Sequence, residues 1–86
     1  MKVDSIVTMH NGEKFFIADE TFQNNTKYYL GNKVGEDGKP TDTSVIFKET
    51  IDDGSVYLDV VKDRNEVNYL TAIFLANYSN YLEEQE

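Results

Sequence analysis

The sequence predicts an α+β fold, in which an antiparallel β-sheet of about five strands is crossed by one C-terminal α-helix. Two turn signals, Asn11-Gly12 and Asp53-Gly54, each lie between segments of alternating apolar and polar residues, which is typical of β-hairpins. A stripe of apolar residues at helical spacing follows Asp63. A chain of 86 residues has room for one core, so we expect a single domain over residues 1–86.

The first hairpin is predicted around Asn11-Gly12. Both residues tolerate the positive φ that a two-residue type I′ turn requires. Closing the chain at this turn places Val7 opposite Phe16. We therefore expect one strand over residues 2–9 and a second over residues 14–18.

The next part of the chain is predicted to lie mostly outside the sheet. Polar residues at 19–26 interrupt the strand pattern, and we expect Phe22 to fill the core from a loop. A strand restarts over residues 27–30, where aromatic residues favour β structure. Residues 31–43 contain turn-forming glycines and Pro40, which predicts a long exposed connection.

A second hairpin is predicted from residues 44–50 and 55–61, with its turn at Asp53-Gly54. Every second residue of the later segment is aliphatic from position 56 onward, and Val45 and Phe47 of the earlier segment offer the same surface. This hairpin completes the predicted sheet.

The C-terminal helix is predicted to begin after Asp63. Asp63 suits the N-cap position, and Glu66, three residues later, completes a capping box. Five residues recur at helical spacing and form the predicted buried stripe: Val67, Leu70, Phe74, Tyr78 and Tyr81.

Several short segments of the chain carry a family resemblance. They are Ile6-Val7-Thr8 before the Asn-Gly turn, Thr21-Phe22-Gln23-Asn24 before Lys27-Tyr28-Tyr29, Glu36-Asp37, Asp52-Asp53-Gly54, the run from Leu58 to Asp63, and Phe74-Leu75-Ala76. In this order they resemble the YrzB-like family of small acidic proteins of Firmicutes, over nearly the whole chain. The resemblance implies a β-rich fold with a terminal helix and no known activity.

Composition and charge exclude several classes of function. The chain has no cysteine, which excludes disulfides, thiol catalysis and thiolate metal sites. Its 16 acidic and 8 basic residues give a net charge of −8, which disfavours direct binding to nucleic acid or anionic membranes. Residues 1–5 lack the apolar run of a signal peptide, and no segment has the length of a transmembrane helix. We therefore expect a soluble cytoplasmic protein.

The residues that carry catalytic chemistry are few. His10, the single histidine, lies beside a predicted tight turn, where neither a pocket nor a partner is expected. Asp52-Asp53-Gly54 lacks the spaced ligands of a calcium loop and is better explained as a turn. We therefore expect a non-enzymatic protein with no cofactor and no metal.

The outward face of the predicted helix carries no charge between Glu66 and Glu83, whereas a helix that faces water normally carries charged residues. Small residues there would let another backbone approach closely. The hypothesis is that this face contacts a second copy of the chain, forming a homodimer, or a different protein; the alternative is a plain surface, or a face covered by residues 31–43. The face comprises Asn68, Tyr69, Ala72, Leu75, Ala76 and Ser79.

Acidic residues cluster in the second half of the predicted sheet and its turns, at Glu36, Asp37, Asp42, Glu49, Asp52 and Asp53. Such an array can imitate the phosphates of DNA and occupy the basic groove of a nucleic-acid-binding protein, as in phage-encoded inhibitors of similar size and charge. The alternative is that these residues only keep the domain soluble. The sequence thus predicts a protein-binding module, with inhibition of a basic partner as its most specific form. A self-associating structural protein is the competing hypothesis.

Overall fold

The computed structural model describes residues 2–85, and the side chains of residues 2–79. In chain order it contains β1 (Ile6–Thr8), β2 (Lys14–Gln23), β3 (Thr26–Val34), β4 (Pro40–Asp52), β5 (Ser55–Val60) and α1 (Arg64–Gln85). The strands form one antiparallel sheet in the order β1-β2-β3-β4-β5, so that each strand pairs with its neighbours in the chain. The predicted α+β fold, with one C-terminal helix on a five-stranded sheet, is confirmed.

The sheet buries apolar side chains on both of its faces. Tyr28 and Tyr29 are adjacent in β3 and both are buried, although successive side chains of a strand point to opposite faces. They therefore belong to two separate clusters. The cluster under α1 contains Tyr28, Ile46, Leu70 and Phe74. The cluster on the other face contains Phe15, Ile17, Tyr29 and Phe47.

The face away from α1 is enclosed by the curl of the sheet itself. The two edge strands, β1 and β5, both contribute to this cluster. Val7 of β1, Met9 just after it and Leu58 of β5 all pack against it. A β-bulge in β2 between Ile17 and Asp19 adds a local bend and increases the twist. The two edges of the sheet thus cover a core that would otherwise need a second layer.

Close packing at the centre of this enclosed face requires glycine at position 31. The ring of Phe47 meets that of Phe15 edge to face, with centroids 5.1 Å apart and planes at 81°. A Cβ at Gly31 would lie 2.8 Å from Cε2 of Phe47. Because Phe47 is completely buried, its ring has little room to move. Glycine is therefore required here by close approach.

The start of α1 follows the prediction for Asp63, whereas the bond from the Glu66 side chain that would complete the predicted capping box is not among the described hydrogen bonds. Asp63 caps the helix, because its Oδ1 accepts hydrogen bonds from the backbone N–H groups of Asn65 (2.8 Å) and Glu66 (3.1 Å). Of the predicted buried stripe, Leu70 and Phe74 are buried.

The later part of that stripe does not follow the prediction. Tyr78 is 60% exposed, because a cleft separates this part of α1 from the sheet. Tyr81 lies outside the side chains that the structure describes.

The first hairpin differs from the prediction in length and in register. β1 has three residues, so the predicted strand over residues 2–9 is too long. The turn is a three-residue loop closed by a bond from the Gly12 N–H to the Met9 carbonyl (2.9 Å), with Gly12 at φ +89°. Val7 consequently lies opposite Phe15 and not Phe16. This register places Val7 on the buried face of the sheet beside Phe15.

Residues 19–26 are strand and turn, and the prediction of a loop there is wrong. β2 continues through Phe22, and a two-residue turn at Asn24-Asn25 leads into β3. Both asparagines have positive φ, 52° and 61°, as a type I′ turn requires. Phe22 is 65% exposed and does not fill the core.

Most of the predicted connection over residues 31–43 is also strand. β3 extends to Val34 and β4 begins at Pro40, which leaves a short turn closed by a bond from the Gly35 N–H to the Lys39 carbonyl (2.8 Å). Proline is tolerated as the first residue of a strand. The last hairpin is confirmed, because Asp53-Gly54 forms its turn with φ values of 50° and 81°.

Candidate functional site

An apolar cleft lies between the sheet and the part of α1 from Val67 to Tyr78. Its volume is about 900 Å³. The sheet contributes Leu30 and Ile46 to its walls, and the helix contributes Phe74, Leu75 and Tyr78. Leu75 and Tyr78 are exposed, so the cleft opens to solvent at the helix. We call this space the cleft.

The helix packs on the sheet through Leu70 and Phe74, and two long-range hydrogen bonds mark its position above β2. The Tyr69 hydroxyl donates to Oε1 of Gln23 (3.0 Å), and Nδ2 of Asn77 donates to Oδ2 of Asp19 (3.4 Å). Between these two points the helix runs antiparallel to β2. Leu70 lies between them in sequence and is fully buried.

The cleft contains two carboxylates and several neutral polar groups. Asp4 and Asp19 line it together with the neutral side chains of Ser44, Thr71 and Asn77. No lysine or arginine is present among the described residues that line it. The electrostatic potential of the cleft is therefore negative, in agreement with the charge of the whole chain.

The two acidic residues of the cleft are held by the backbone around them. The Asp4 N–H donates to the Ile17 carbonyl (2.7 Å), which ties the segment before β1 to β2. Oδ1 of Asp19 accepts a hydrogen bond from the Glu20 N–H (2.8 Å). Oδ2 of Asp19 has only the long contact with Asn77 among the described hydrogen bonds, so it is free to accept a stronger donor.

The predicted outward face of the helix is exposed along its whole length, and residues 31–43 do not cover it. Its members are Asn68, Tyr69, Ala72, Leu75, Ala76 and Ser79, which we call the helix surface. Between Val67 and Ser79 the chain has no charged residue. Leu75 belongs to both the helix surface and the cleft, so the two form one continuous region.

The six predicted acidic residues do not form one patch. Glu36 and Asp37 lie in the turn before β4, Asp42 lies near the start of β4, and Asp52-Asp53 lies at its far end. A strand of 13 residues spans roughly 40 Å, which is close to the longest dimension of the molecule, 42 Å. These carboxylates are therefore divided between two ends of the sheet.

The sixth acidic residue, Glu49, has a partner inside the molecule. Its Oε2 accepts a hydrogen bond from the Tyr29 hydroxyl (2.8 Å). Burial, together with this hydrogen bond, raises the pKa of Tyr29 above its ordinary value. Lys27 lies over the Tyr29 ring, 5.3 Å from the centroid, and pairs with Glu20 at 3.1 Å. The hydrogen bond with Glu20 is the main cause of the raised pKa of Lys27.

Catalytic and metal-binding arrangements are not evident in the described part of the chain. His10 is exposed in the first turn. Across the described residues, no three histidine, aspartate or glutamate side chains are placed to share a metal ion. No helix in the same part of the chain is long and apolar enough to cross a bilayer.

Comparisons of the chain with models of known protein families, with curated proteins and with solved structures found no match. The resemblance to the YrzB-like family therefore stays a prediction, and the function has to be argued from the surfaces of the molecule.

The helix surface could be found from the sequence, whereas the acidic side of the cleft could not. The absence of charge after Glu66 marks the helix surface directly. Asp4 and Asp19 reach the cleft only because the helix lies over β2, and the contacts that place it there join residues 46 and 58 positions apart. Periodicity assigns residues to faces and does not identify neighbours.

Proposed function

We propose that this protein is a non-enzymatic module that binds another protein through the helix surface and the adjoining cleft. The observation that carries the proposal is the exposure of Tyr69, Leu75 and Tyr78, at 50%, 62% and 60%, on an uncharged stretch of helix. Exposed apolar patches of this kind mark interaction sites on soluble domains. Tyrosine is enriched in protein interfaces because it combines a large apolar ring with a hydroxyl that forms hydrogen bonds.

The shape of the region favours a protein as the partner. Ala72 and Ala76 lie one turn apart on the helix surface, and their small side chains let a second backbone come close. Leu75 connects this surface to the cleft, where a side chain of the partner can be buried. A contact that combines an open helix face with a neighbouring cleft suits an extended or helical segment better than a compact ligand.

The experiment is affinity capture from a lysate of the natural host with the wild type, Ala72→Glu and Thr43→Glu. Both substitutions add one negative charge at an exposed position, but Thr43 lies on β4 and does not line the cleft. We expect the wild type and Thr43→Glu to retain the same protein and Ala72→Glu to lose it. Retention of one set of proteins by all three would contradict the proposal. Circular dichroism of each variant confirms that the fold is kept.

A second copy of the chain is the self-associating alternative, and sedimentation equilibrium distinguishes it. A wild-type mass that rises with concentration, while Ala72→Glu stays monomeric, would assign the helix surface to a homodimer. A monomer throughout the concentration range requires a different protein as the partner. Both measurements use the same variants.

A second candidate function is inhibition of a basic nucleic-acid-binding protein by the acidic turns on either side of β4. Among residues 2–79, the two ion pairs join Lys27 to Glu20 and Lys33 to Glu13, so the carboxylates of these turns are left outside them. Binding of this kind weakens steeply as salt rises, whereas an apolar helix contact changes little. Replacing Asp52-Asp53 by two asparagines should weaken binding through the acidic turns and leave binding through the helix surface unchanged.

A further inference from the structure

The cleft between α1 and the sheet opens to solvent and is lined mainly by apolar residues. Its volume is about 900 Å³. Ligand sites commonly have volumes of about 300–1,000 Å³, so several apolar side chains of a partner fit within it. Its floor is apolar, at Leu30, Ile46 and Phe74. An occupant must therefore present apolar groups.

The charge of the cleft restricts the occupant further. Asp4 and Asp19 are the carboxylates that line it, and no cation is present among the described residues of its walls. Oδ2 of Asp19 has only the 3.4 Å contact with Asn77, and Asp4 is exposed. Both residues line the cleft, and the described hydrogen bonds leave acceptor capacity on their carboxylates. An anionic occupant would be repelled by these groups and by the net charge of −8.

We infer that the cleft accepts a peptide segment of the partner with apolar residues at its centre and lysine or arginine beside them. The inference rests on the proposed protein-binding function and names the chemistry of the partner at the same site. The apolar side chains enter between α1 and the sheet, against Phe74 and Leu75. The flanking cations lie beside Asp4 and Asp19, where charge-assisted hydrogen bonds form.

The test uses short fluorescent peptides in an anisotropy titration. The probe has leucines at its centre and lysines at both ends; one matched peptide has glutamates in place of the lysines, and a second has serines in place of the leucines. We expect saturable binding of the lysine–leucine probe and weaker binding of both matched peptides by at least about tenfold. Weaker binding of the serine peptide would show that the leucines contact the apolar floor. Weaker binding of the glutamate peptide would show that the lysines interact with the carboxylates.

Two double variants locate the binding. One is Asp4→Asn with Asp19→Asn, inside the cleft, and the other is Asp52→Asn with Asp53→Asn, in the last turn. Both remove two negative charges, and each includes one residue at positive φ, 69° at Asp4 and 50° at Asp53, where asparagine is tolerated. We expect the cleft variant to bind the lysine–leucine probe about tenfold more weakly and the turn variant to bind it as the wild type does.

Three results would overturn the inference: no saturable binding of the lysine–leucine probe, equal binding of the glutamate peptide, or equal losses in the two double variants. The last would show attraction to the overall charge and not to the cleft. If capture from the host lysate still depends on Ala72, the proposed function stands and only the partner's chemistry is wrong. If capture does not depend on Ala72, the proposed function itself fails.

Discussion

At the scale of single residues, the enclosed face of the sheet depends on the contact of Phe47 with Gly31. A Cβ at Gly31 would lie 2.8 Å from the Phe47 ring, which is buried and also packs against Phe15. This requirement follows from a residue 16 positions away in the sequence, so it is not visible in the local pattern.

Replacing Gly31 by alanine should lower the free energy of unfolding by about 1–3 kcal/mol, because the Phe47 ring must shift in a packed core. Alanine also reduces the conformational entropy of the unfolded chain, and this effect offsets about 0.4–1 kcal/mol of the loss. Urea denaturation measures the difference, with Thr43→Ala at an exposed site as control. An unchanged midpoint for Gly31→Ala would show that the core is looser than the structure indicates.

Tyr29 should make stability depend on alkaline pH. Its pKa is raised in the folded state above the value of about 10 expected for the unfolded chain, because burial and Glu49 disfavour the phenolate. The stabilisation is therefore complete below pH of about 10 and is lost as pH rises through the folded pKa. We expect the free energy of unfolding to fall less steeply with alkaline pH in Tyr29→Phe than in the wild type. Parallel slopes for Tyr29→Phe and the wild type would refute this role of Tyr29.

At the scale of elements, local signals predict where the chain turns and where the helix begins. Asp53-Gly54 and Asp63 both act as their residue types indicate. Asn24-Asn25 is an equally good type I′ turn, but the polar residues around it suggest a loop. Those polar residues lie in the part of β2 that extends beyond β1, where one side of the strand has no neighbouring strand. Charged residues there discourage pairing with another chain, so this part of the strand lacks the usual apolar alternation.

The cap of α1 gives a direct test at this scale. Asp63→Ala should cost about 1 kcal/mol of stability, because the N–H groups of Asn65 and Glu66 lose their acceptor. Asp63→Asn should cost much less, since its side-chain oxygen still accepts these bonds. Chemical denaturation of the two variants checks the difference; equal losses would attribute the effect to charge and not to the cap.

The position of Phe22 on β2 gives a second test. Phe22→Ala should change stability by at most about 0.5 kcal/mol because the ring is exposed, whereas Phe47→Ala should cost about 3–5 kcal/mol. A large loss for Phe22→Ala in the same denaturation experiment would place Phe22 in the core after all.

At the scale of the whole molecule, the acidic turns and the uncharged helix surface lie in different places. Carboxylates are concentrated in the turns at either end of β4, and the helix surface carries none. The sequence predicts the uncharged helix and the acidic turns, because both are properties of composition along the chain. The cleft depends on how α1 packs over the sheet, through Leu70 and Phe74 against Tyr28 and Ile46, which only the folded structure reveals.

The central claim is that the protein binds its partner through the helix surface and cleft, and site-specific photo-crosslinking tests it most directly. A benzophenone amino acid placed at Leu75 or at Ile51 compares two apolar positions of similar exposure, 62% and 67%. Leu75 is on α1, whereas Ile51 shares the strand alternation of Phe47, whose cluster lies on the face of the sheet away from α1. In host lysate we expect a crosslinked protein from position 75 and none from position 51. The same crosslinked protein from both positions, or a crosslink from position 51 alone, would contradict the account.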